Sequence, residues 1–308
     1  MTHLFFHNDI DGVMSAAIFA HKTGILKSME YVLHGMNTSS RGSRFAGLIN
    51  SINKEPIIIL DYEYNDKATL WIDHHQNGMF GLDPVLNDSI CYDARAQSAA
   101  SLVFKYLESV GHKMEPELNS VLNAVNMIDS ASYPDVQFIF KDKSPMMILR
   151  AFLEAAFPYE MMFNRCVEVI SACECNIEKA NKVLNIDGSY VDMIEKEALK
   201  IKNKIEIYGN FSLVRQKYAY QHPRYAEYYV ANSMYNMRVS SENSSEMRVN
   251  ISYNKWSGKK NNLNIGTYCS TSKFVKRGGG HYNVGGGIID KSRLDEFLDS
   301  FSILVEDK

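Results

Sequence analysis

Short apolar runs alternate with helix-like stretches along the first 75 residues. The apolar runs cover positions 4–6, 31–33, 56–60 and 68–72, and helix-like patterns fill 12–21 and 44–52 between them. Near-continuous apolar runs that are separated by helices are typical of a parallel sheet whose two faces are both covered. The pattern therefore predicts an α/β fold, with a parallel sheet in the N-terminal part of the chain.

The pattern then becomes helical and later mixed. Helix-like periodicity runs through 97–108, 117–129, 149–175 and 190–207; strand-like runs follow at 211–215, 228–231, 247–253 and 263–268, with a last helix at 294–305. The polar run 240–246 indicates a turn between two strands. These changes predict an N-terminal domain over 1–175, a helical linker over 176–207, and a smaller mixed α/β domain over 208–308.

Composition places the chain among folded globular proteins. It has 308 residues, of which 45% are hydrophobic and 11% aromatic. No apolar run approaches the roughly 20 residues that cross a bilayer, and the N-terminus has no basic leader with a cleavage site. We therefore expect a soluble, cytoplasmic protein without a membrane partner.

The chain has five cysteines: Cys91, Cys166, Cys173, Cys175 and Cys269. We expect them to be reduced thiols, because their number is odd and they form no Cys-x-x-Cys pair.

Charge is divided unevenly along the chain. Residues 1–200 carry 17 Lys and Arg against 26 Asp and Glu, whereas residues 201–308 carry 16 against 10. This asymmetry suits an acidic domain that binds metal and a basic domain that binds phosphate. The bare carboxylates of the first domain repel an anionic substrate, so the second domain must attract it. Uneven solvated surface is the alternative explanation.

Polar residues follow the ends of the predicted strands. His7, Asp9 and Asp11 follow the first apolar run, His34 the second, Asp61 the third, and Asp73, His74 and His75 the fourth. Parallel sheets place their sites at the carboxyl ends of the strands, so we expect these side chains to converge. Residues two apart in an extended segment share a side, and Gly12 allows a tight turn after them. As alternatives, Asp11 is a helix N-cap and Asp9 a turn residue.

Two further carboxylates support a metal site. Asp61 ends a buried strand, where an uncompensated charge is costly. Asp129 ends a predicted helix, where its charge opposes the helix dipole; an exposed Asp at a helix end is the alternative. Carboxylates mixed with imidazoles suit Mn, Fe or Zn, and the expected chemistry is metal-assisted hydrolysis.

A glycine-rich segment in the C-terminal part predicts a phosphate-binding loop. Lys276 and Arg277 precede Gly278, Gly279, Gly280 and His281, and three more glycines follow at 285–287. Glycines let backbone amides approach an anion closely, although a flexible turn has the same composition. Two features are candidates to stack on a base: Tyr268, which is expected in the preceding strand, and the aromatic and basic segment 215–225. For the segment, half-buried packing in a strand is the alternative.

Taken together, these motifs resemble the DHH phosphoesterase family in its two-domain form with a DHH-associated C-terminal domain. The triplet Asp73-His74-His75 matches the motif that names the family, positions 7–12 its first motif, and Asp61 and Asp129 its second and fourth. The segment 278–281 is similar to the glycine-histidine motif of the family's C-terminal domain. Two positions depart from the family pattern: Val284-Gly285 follows the histidine in place of a small pair, and 266–270 lacks an arginine.

The resemblance implies a set of residue roles. Asp61 bridges two Mn²⁺ ions, or Mg²⁺ or another divalent ion in their place. His7 and Asp9 complete one side, and Asp11, His74 and Asp129 the other. His75 contacts the substrate phosphate, while Asp73 orients the neighbouring histidines.

The expected activity is that of a Mn-dependent phosphodiesterase that trims short single-stranded oligonucleotides from the 5′ end to nucleoside 5′-monophosphates. The net charge of −3 argues against tight binding of long nucleic acid, because each neutralised phosphate needs a cation. A cyclic dinucleotide and a 3′,5′-bisphosphate nucleotide are rival substrates. A nucleotide-binding regulator without turnover is the alternative from another functional class.

Overall fold

The computed structural model describes residues 1–28, 30–37, 42–75, 83–155, 159–173, 176–216 and 225–306. The chain divides into two compact units. The N-terminal unit comprises Met1–Tyr133 and Asp142–Val191, and the C-terminal unit comprises Pro134–Lys141 and Asp192–Lys308. The division thus falls inside the predicted linker 176–207, and the C-terminal unit includes a short upstream segment that the sequence pattern did not indicate.

Helices occupy much of the described chain. In chain order they are α1 (Ile10–Thr23), α2 (Ile25–Ser28), α3 (Ser43–Asn50), α4 (Ala99–Ser109), α5 (Leu118–Asp129), α6 (Val136–Lys141), α7 (Pro145–Glu154), α8 (Tyr159–Cys173), α9 (Ile177–Val183), α10 (Ser189–Ile201), α11 (Tyr225–Tyr229), α12 (Ile265–Thr271) and α13 (Leu294–Glu306). Short 3₁₀ turns lie at Lys202–Lys204, Lys255–Ser257 and Lys291–Arg293.

The N-terminal unit contains the predicted parallel sheet. Its strands are β1 (Thr2–His7), β2 (Tyr31–Met36), β3 (Ile57–Leu60), β4 (Leu70–Asp73), β5 (Val85–Leu86) and β6 (Ile90–Tyr92), in the order β2-β1-β3-β4-β6-β5. All pairs are parallel except β5 with β6. Because parallel strands run in one direction, their carboxyl ends meet at one edge.

Both faces of this sheet are covered, which explains the near-continuous apolar runs. Leu4 and Phe6 face a core shared with α1, whereas Phe5 faces a second core with Phe45 of α3 and Trp71. Full burial of such a side chain contributes about 1.5–3 kcal/mol, so both cores hold the strand ends in fixed positions.

The C-terminal unit contains a mixed sheet, and α12 and α13 pack on one of its faces. Its strands are β7 (Ile205–Tyr208), β8 (Phe211–Gln216), β9 (Tyr235–Ser241), β10 (Glu246–Tyr253), β11 (Val275–His281) and β12 (Val284–Asp290), in the order β11-β12-β10-β9-β8-β7. Among the described strands of this sheet, only β8 and β9 pair in parallel. Phe297 and Phe301 of α13 and Ile265 of α12 pack on alternate strand residues.

Several predicted elements of the second half are wrong. The run 228–231 overlaps α11, and 263–268 overlaps α12, although both were expected to be strands. Asn264 starts α12 because its side chain accepts the Thr267 amide at 3.0 Å. The expected helix 190–207 ends at Ile201, and 205–207 belongs to β7. The expected helix 149–175 is divided between α7 and α8. Aromatic and β-branched residues favour strands only where neighbouring side chains on a sheet pack against them.

The cysteines within the described ranges match the expectation of free thiols. Cys91, Cys166, Cys173 and Cys269 are buried and unbridged, whereas Cys175 lies outside the described residues. Burial raises the pKa of the Cys269 thiol to about 12, so this side chain behaves as an apolar core group. None of the helices in the described ranges combines the length and apolar character that a bilayer crossing requires.

Candidate metal centre

Three neighbouring strands bring the first polar residues to one edge of the N-terminal sheet. His7 is the last residue of β1, Asp61 directly follows β3, and Asp73 ends β4. The register pairs Phe6 with Leu60 and Leu60 with Ile72, so the three strands end at the same level. This common level brings the side chains at the three strand ends to the same edge of the sheet.

The turn after β1 depends on a glycine. Asp9 is the N-cap of α1, and its carboxylate accepts the Gly12 amide at 3.0 Å. A Cβ on Gly12 would lie 2.2 Å from the His7 carbonyl oxygen, so only glycine lets the helix start this close to the strand. The cap is therefore Asp9, not Asp11 as in the alternative interpretation.

Asp11 is buried and points at a second helix. Its carboxylate accepts the amides of Ala99 and Ala100 at 2.7 and 2.9 Å, at the start of α4. A helix N-terminus favours negative charge, so α4 holds this carboxylate in place. One oxygen still lies 3.5 Å from Nε2 of His74, which leaves Asp11 able to share a cation with that imidazole.

Asp61 has the least compensated carboxylate of the site. It is 1% exposed, and among the described residues neither of its carboxylate oxygens has a hydrogen-bond partner. Its backbone lies in the left-handed region with φ of 57°, which aspartate tolerates better than most residues. A buried carboxylate without donors is costly unless a cation compensates its charge, so Asp61 is a candidate cation-binding group.

His74 is oriented for ligation. Its Nδ1 lies 3.1 Å from the Ala96 carbonyl oxygen, which fixes Nδ1 as the donor and leaves the Nε2 lone pair facing inward. Nε2 lies 3.3 Å from Asp129, 3.5 Å from Asp11 and 3.7 Å from Asp61. Burial lowers the pKa of this imidazole, but the charges of Asp11, Asp129 and Asp73 raise it above its ordinary value. A divalent ion at Nε2 would take the place of that proton.

Asp73 holds the two histidines that follow it. One of its oxygens accepts the backbone amides of His74 and His75, at 2.8 and 3.2 Å, and Nδ1 of His75 at 2.8 Å. Burial alone raises the pKa of Asp73, but the neighbouring His75 and His74 bring it below its ordinary value. Nδ1 of His75 also lies 3.5 Å from Asp61.

The acids of the site repel one another in the absence of a cation. Burial raises the pKa of Asp61 well above its ordinary value, and the charges of Asp11, Asp9, Asp73 and Asp129 raise it further. Burial, followed by the charge of Asp11, also raises the pKa of Asp129. Divalent ions relieve this repulsion, so the residues fit a metal centre.

Potential ligand atoms fall into overlapping groups within 4.8 Å of one another. These groups are His7, Asp9 and Asp61; Asp11, His74 and Asp129; and Asp61, His74 and His75. Asp61 lies within reach of both imidazoles, since its oxygens are 3.8 Å from His7 and 3.7 Å from His74. Asp61 therefore belongs to two of the three groups that could hold a metal ion.

Comparison with known proteins identifies the fold. No family model matches the sequence, and no curated protein is significantly similar to it. Among solved structures, a pGpG-specific phosphodiesterase from Vibrio cholerae aligns with a TM-score of 0.64 and 18% identity, over 100% of this chain and 99% of that chain. The DHH domain of a protein described as a member of a family of ribosomal proteins aligns with a TM-score of 0.59 and 13% identity, over 99% and 86%. The chain has the DHH fold.

A third solved structure, RecJ in complex with Mn²⁺ from Thermus thermophilus, has the same fold. It aligns with a TM-score of 0.61 and 11% identity, over 100% of this chain and 52% of that chain. The sequence-based expectation of a DHH-type α/β fold is thus confirmed.

In this DHH-fold chain the glycine-histidine segment forms a hairpin, where a loop was expected. Arg277 to His281 lie in β11, and Gly278, Gly279 and Gly280 pair with Gly287, Gly286 and Gly285 of β12. Most of these glycines are required by packing: a Cβ on Gly278 would lie 2.6 Å from the Cys269 carbonyl oxygen, and one on Gly287 2.4 Å from Val275. Gly279 differs, because a Cβ there would meet nothing within 4 Å.

Tyr268 does not occupy the expected strand. It lies in α12, half-buried, with its ring centroid 5.5 Å from that of Phe301. Burial raises the pKa of its hydroxyl to about 12. A ring that packs in the core of its own unit is poorly placed to stack on a base. Of the other stacking candidate, the segment 215–225, positions 217–224 lie outside the described residues.

Sequence patterns did not indicate the groups that orient the ligands. The Ala96 carbonyl holds His74, and the amides of Ala99 and Ala100 hold Asp11. Ser98 is the N-cap of α4 and accepts the Ser101 amide. A serine immediately before a helix-like run is a capping signal, and it would have placed these backbone groups at a helix start.

Proposed function

We propose that this chain is a metal-dependent phosphodiesterase that hydrolyses short single-stranded oligonucleotides from the 5′ end to nucleoside 5′-monophosphates. The observation that carries the proposal is the Asp61 carboxylate, which is buried without hydrogen-bond donors between two groups of potential ligands. Two solved structures with the same fold, a pGpG-specific phosphodiesterase and RecJ, support this activity.

In this proposal the centre holds two Mn²⁺ ions. His7 and Asp9 would hold one ion, Asp11, His74 and Asp129 would hold the other, and Asp61 would contribute to both sites. Mixed carboxylate and imidazole ligands favour manganese over a purely oxygen-binding ion. The ions supply a bound water of lowered pKa and neutralise charge on the phosphoryl oxygens.

His75 is the residue that contacts the scissile phosphate. Its side chain is 33% exposed, whereas that of His74 is 4% exposed, so His75 is the more accessible of the two. Asp73 holds Nδ1 of His75 at 2.8 Å and thereby leaves Nε2 for a phosphoryl oxygen or the leaving group. Asp73 is then a positioning residue, which acts through the two histidines.

We assign binding of the rest of the substrate to the C-terminal unit. Residues 201–308, which make up most of this unit, are basic, with 16 Lys and Arg against 10 Asp and Glu. Arg277 is exposed on β11, and the open space at Gly279 lets a ligand approach the backbone closely. We assign the segment Arg277 to His281 to substrate binding on these grounds.

A substrate panel tests the proposal. Metal-free protein is supplied with Mn²⁺ or Mg²⁺ and incubated with labelled oligonucleotides of two to ten residues, a cyclic dinucleotide, a 3′,5′-bisphosphate nucleotide and pyrophosphate. We expect nucleoside 5′-monophosphates from the oligonucleotides with Mn²⁺, and no products from the Asp61→Asn variant. Binding of the dinucleotide without turnover, at full metal content, would instead identify a regulator.

A further inference from the structure

One short segment at the start of α4 is bonded to two candidate metal ligands. Residues 96–101 supply the Ala96 carbonyl oxygen, which lies 3.1 Å from Nδ1 of His74. They also supply two backbone amides, which donate to Asp11 at 2.7 and 2.9 Å. Asp11 and His74 belong with Asp129 to one group of potential ligands. The segment therefore holds two members of that group, whereas the third comes from a different helix.

Asp129 needs a contact that holds it in this group. It is the last residue of α5, where helices fray and where its charge opposes the helix dipole. It lies 3.3 Å from Nε2 of His74, which is 3.5 Å from Asp11, so two carboxylates flank one imidazole. Like charges at this range repel each other while no cation separates them. This repulsion favours an outward movement of the last turn of α5.

Asn126 opposes that movement. It lies three residues before Asp129 on α5, a spacing that places both side chains on one face of the helix. Its Oδ1 accepts two hydroxyl groups of the 96–101 segment, from Ser98 at 2.5 Å and from Ser101 at 2.8 Å. These two bonds join the last turn of α5 to the start of α4.

The same contacts include the cap of one helix and the end of the other. The Ser98 hydroxyl oxygen accepts the Ser101 amide at 3.1 Å, as an N-cap residue does, while its proton is donated to Asn126. The Asn126 carbonyl oxygen accepts the Ser130 amide at 3.0 Å and the Ser130 hydroxyl at 2.5 Å. A single residue thus bonds to the end of α5 with its backbone and to the start of α4 with its side chain.

The other group of potential ligands is held by different contacts. Asp9 accepts the Gly12 amide, and its carboxylate lies 2.6 Å from Nδ1 of His7. These contacts belong to the junction of β1 and α1, not to the 96–101 segment. Loss of the Asn126 bonds should therefore weaken one ion and spare the other.

We propose that Asn126 is a positioning residue that completes one of the two ion sites, because it holds Asp129 in place beside Asp11. The inference rests on the two-ion centre of the proposed function and adds a residue on which the binding of only one ion depends. The Oδ1 of Asn126 is occupied by two hydroxyl donors, so this residue acts through Asp129 rather than as a ligand.

Binding of Mn²⁺ to the metal-free full chain tests this proposal. We expect two bound ions in the wild type. In Asn126→Ala the Kd of one ion should rise about tenfold or more, as is typical when a contact behind a metal ligand is lost, while that of the other stays unchanged. Low-temperature EPR of the bound Mn²⁺ should change from the spectrum of a spin-coupled pair to that of an isolated ion. The matched control is Asn123→Ala, at an exposed position of the same helix, which should bind both ions like the wild type.

A double-mutant cycle separates positioning from a general loss of structure. We expect Ser101→Ala to weaken the same ion, and Ser101→Thr, which keeps the hydroxyl, to bind it like the wild type. Ser101→Ala added to Asn126→Ala should have no further effect, because the hydroxyl has already lost its acceptor. A further loss in the double variant would overturn the proposal. Thermal melts of the metal-free variants show which of them are folded, and the two Ser101 variants decide the question if Asn126→Ala is unfolded.

Wild-type affinities for both ions in Asn126→Ala would overturn the positioning role and leave the phosphodiesterase proposal standing. Equal weakening of both ions would also overturn it, because that result indicates a general loss of structure. A wild type that binds fewer than two ions would overturn both proposals. If the wild type binds two ions and Asn126→Ala loses one, but the wild type hydrolyses none of the substrate panel, the positioning role stands and the proposed function fails.

Discussion

At the scale of single residues, Asp61 decides how the site behaves with and without metal. Its carboxylate is buried among other acids and has no hydrogen-bond donor among the described residues. We expect Asp61→Asn to raise the melting temperature of the metal-free protein, because the amide removes a repelled charge and tolerates the left-handed backbone. We also expect this variant to lose the rise in melting temperature that Mn²⁺ gives the wild type.

Thermal melts of metal-free and Mn²⁺-loaded protein check this prediction. Asp66→Asn is the matched control, since Asp66 is exposed on the same unit. A full Mn²⁺-induced shift in Asp61→Asn would contradict the role of this carboxylate.

The pH dependence of the metal-free protein follows from the same residue. Burial and neighbouring acids raise the pKa of Asp61, so the folded state holds a proton that the unfolded state has released above its ordinary pKa. Stability therefore falls as the pH rises from the ordinary carboxyl pKa through the raised value. We expect denaturant unfolding to show this fall in the wild type and a smaller fall in Asp61→Asn. Identical pH profiles would contradict the shift.

At the scale of elements, the junction of β1 and α1 controls the geometry of the site. A Cβ on Gly12 would overlap the His7 carbonyl at 2.2 Å, whereas a Cβ on Gly47 of α3 meets nothing within 4 Å. We expect Gly12→Ala to destabilise the protein by about 1–3 kcal/mol or more, as overpacking does, and to weaken Mn²⁺ binding. Gly47→Ala should instead stabilise by about 0.5–1 kcal/mol, because alanine favours a helix.

Urea unfolding and Mn²⁺ titration of both variants make this comparison. Equal stabilities for the two alanine variants would show that the close approach of α1 to β1 is not required.

The elements also show what sequence could and could not predict. The apolar runs that end in acidic residues predicted the parallel sheet and the edge at which the candidate site lies. Parallel strands run in one direction, so their carboxyl ends meet at that edge. Helices such as α11 and α12 were expected as strands, because their aromatic and β-branched residues resemble strand residues and packing decides between the two. The contact of Asn126 with Ser98 and Ser101 was not predicted, since α4 and α5 become neighbours only in the folded unit.

At the scale of the whole molecule, we assign metal binding and substrate binding to different units. The proposed metal ligands all belong to the N-terminal unit, and the glycine hairpin belongs to the C-terminal unit. We expect His281→Ala to raise KM for a dinucleotide about tenfold while bound Mn²⁺ stays at the wild-type level. Steady-state kinetics combined with metal analysis tests this, and His112→Ala in the N-terminal unit is the control. Loss of metal in His281→Ala would contradict the division.

The most direct test of the central claim is anomalous diffraction from crystals grown with Mn²⁺. We expect two manganese peaks on either side of the Asp61 carboxylate, one beside His7 and Asp9 and the other beside His74 and Asp129. A single peak elsewhere, or a site without manganese whose side chains point apart, would contradict it.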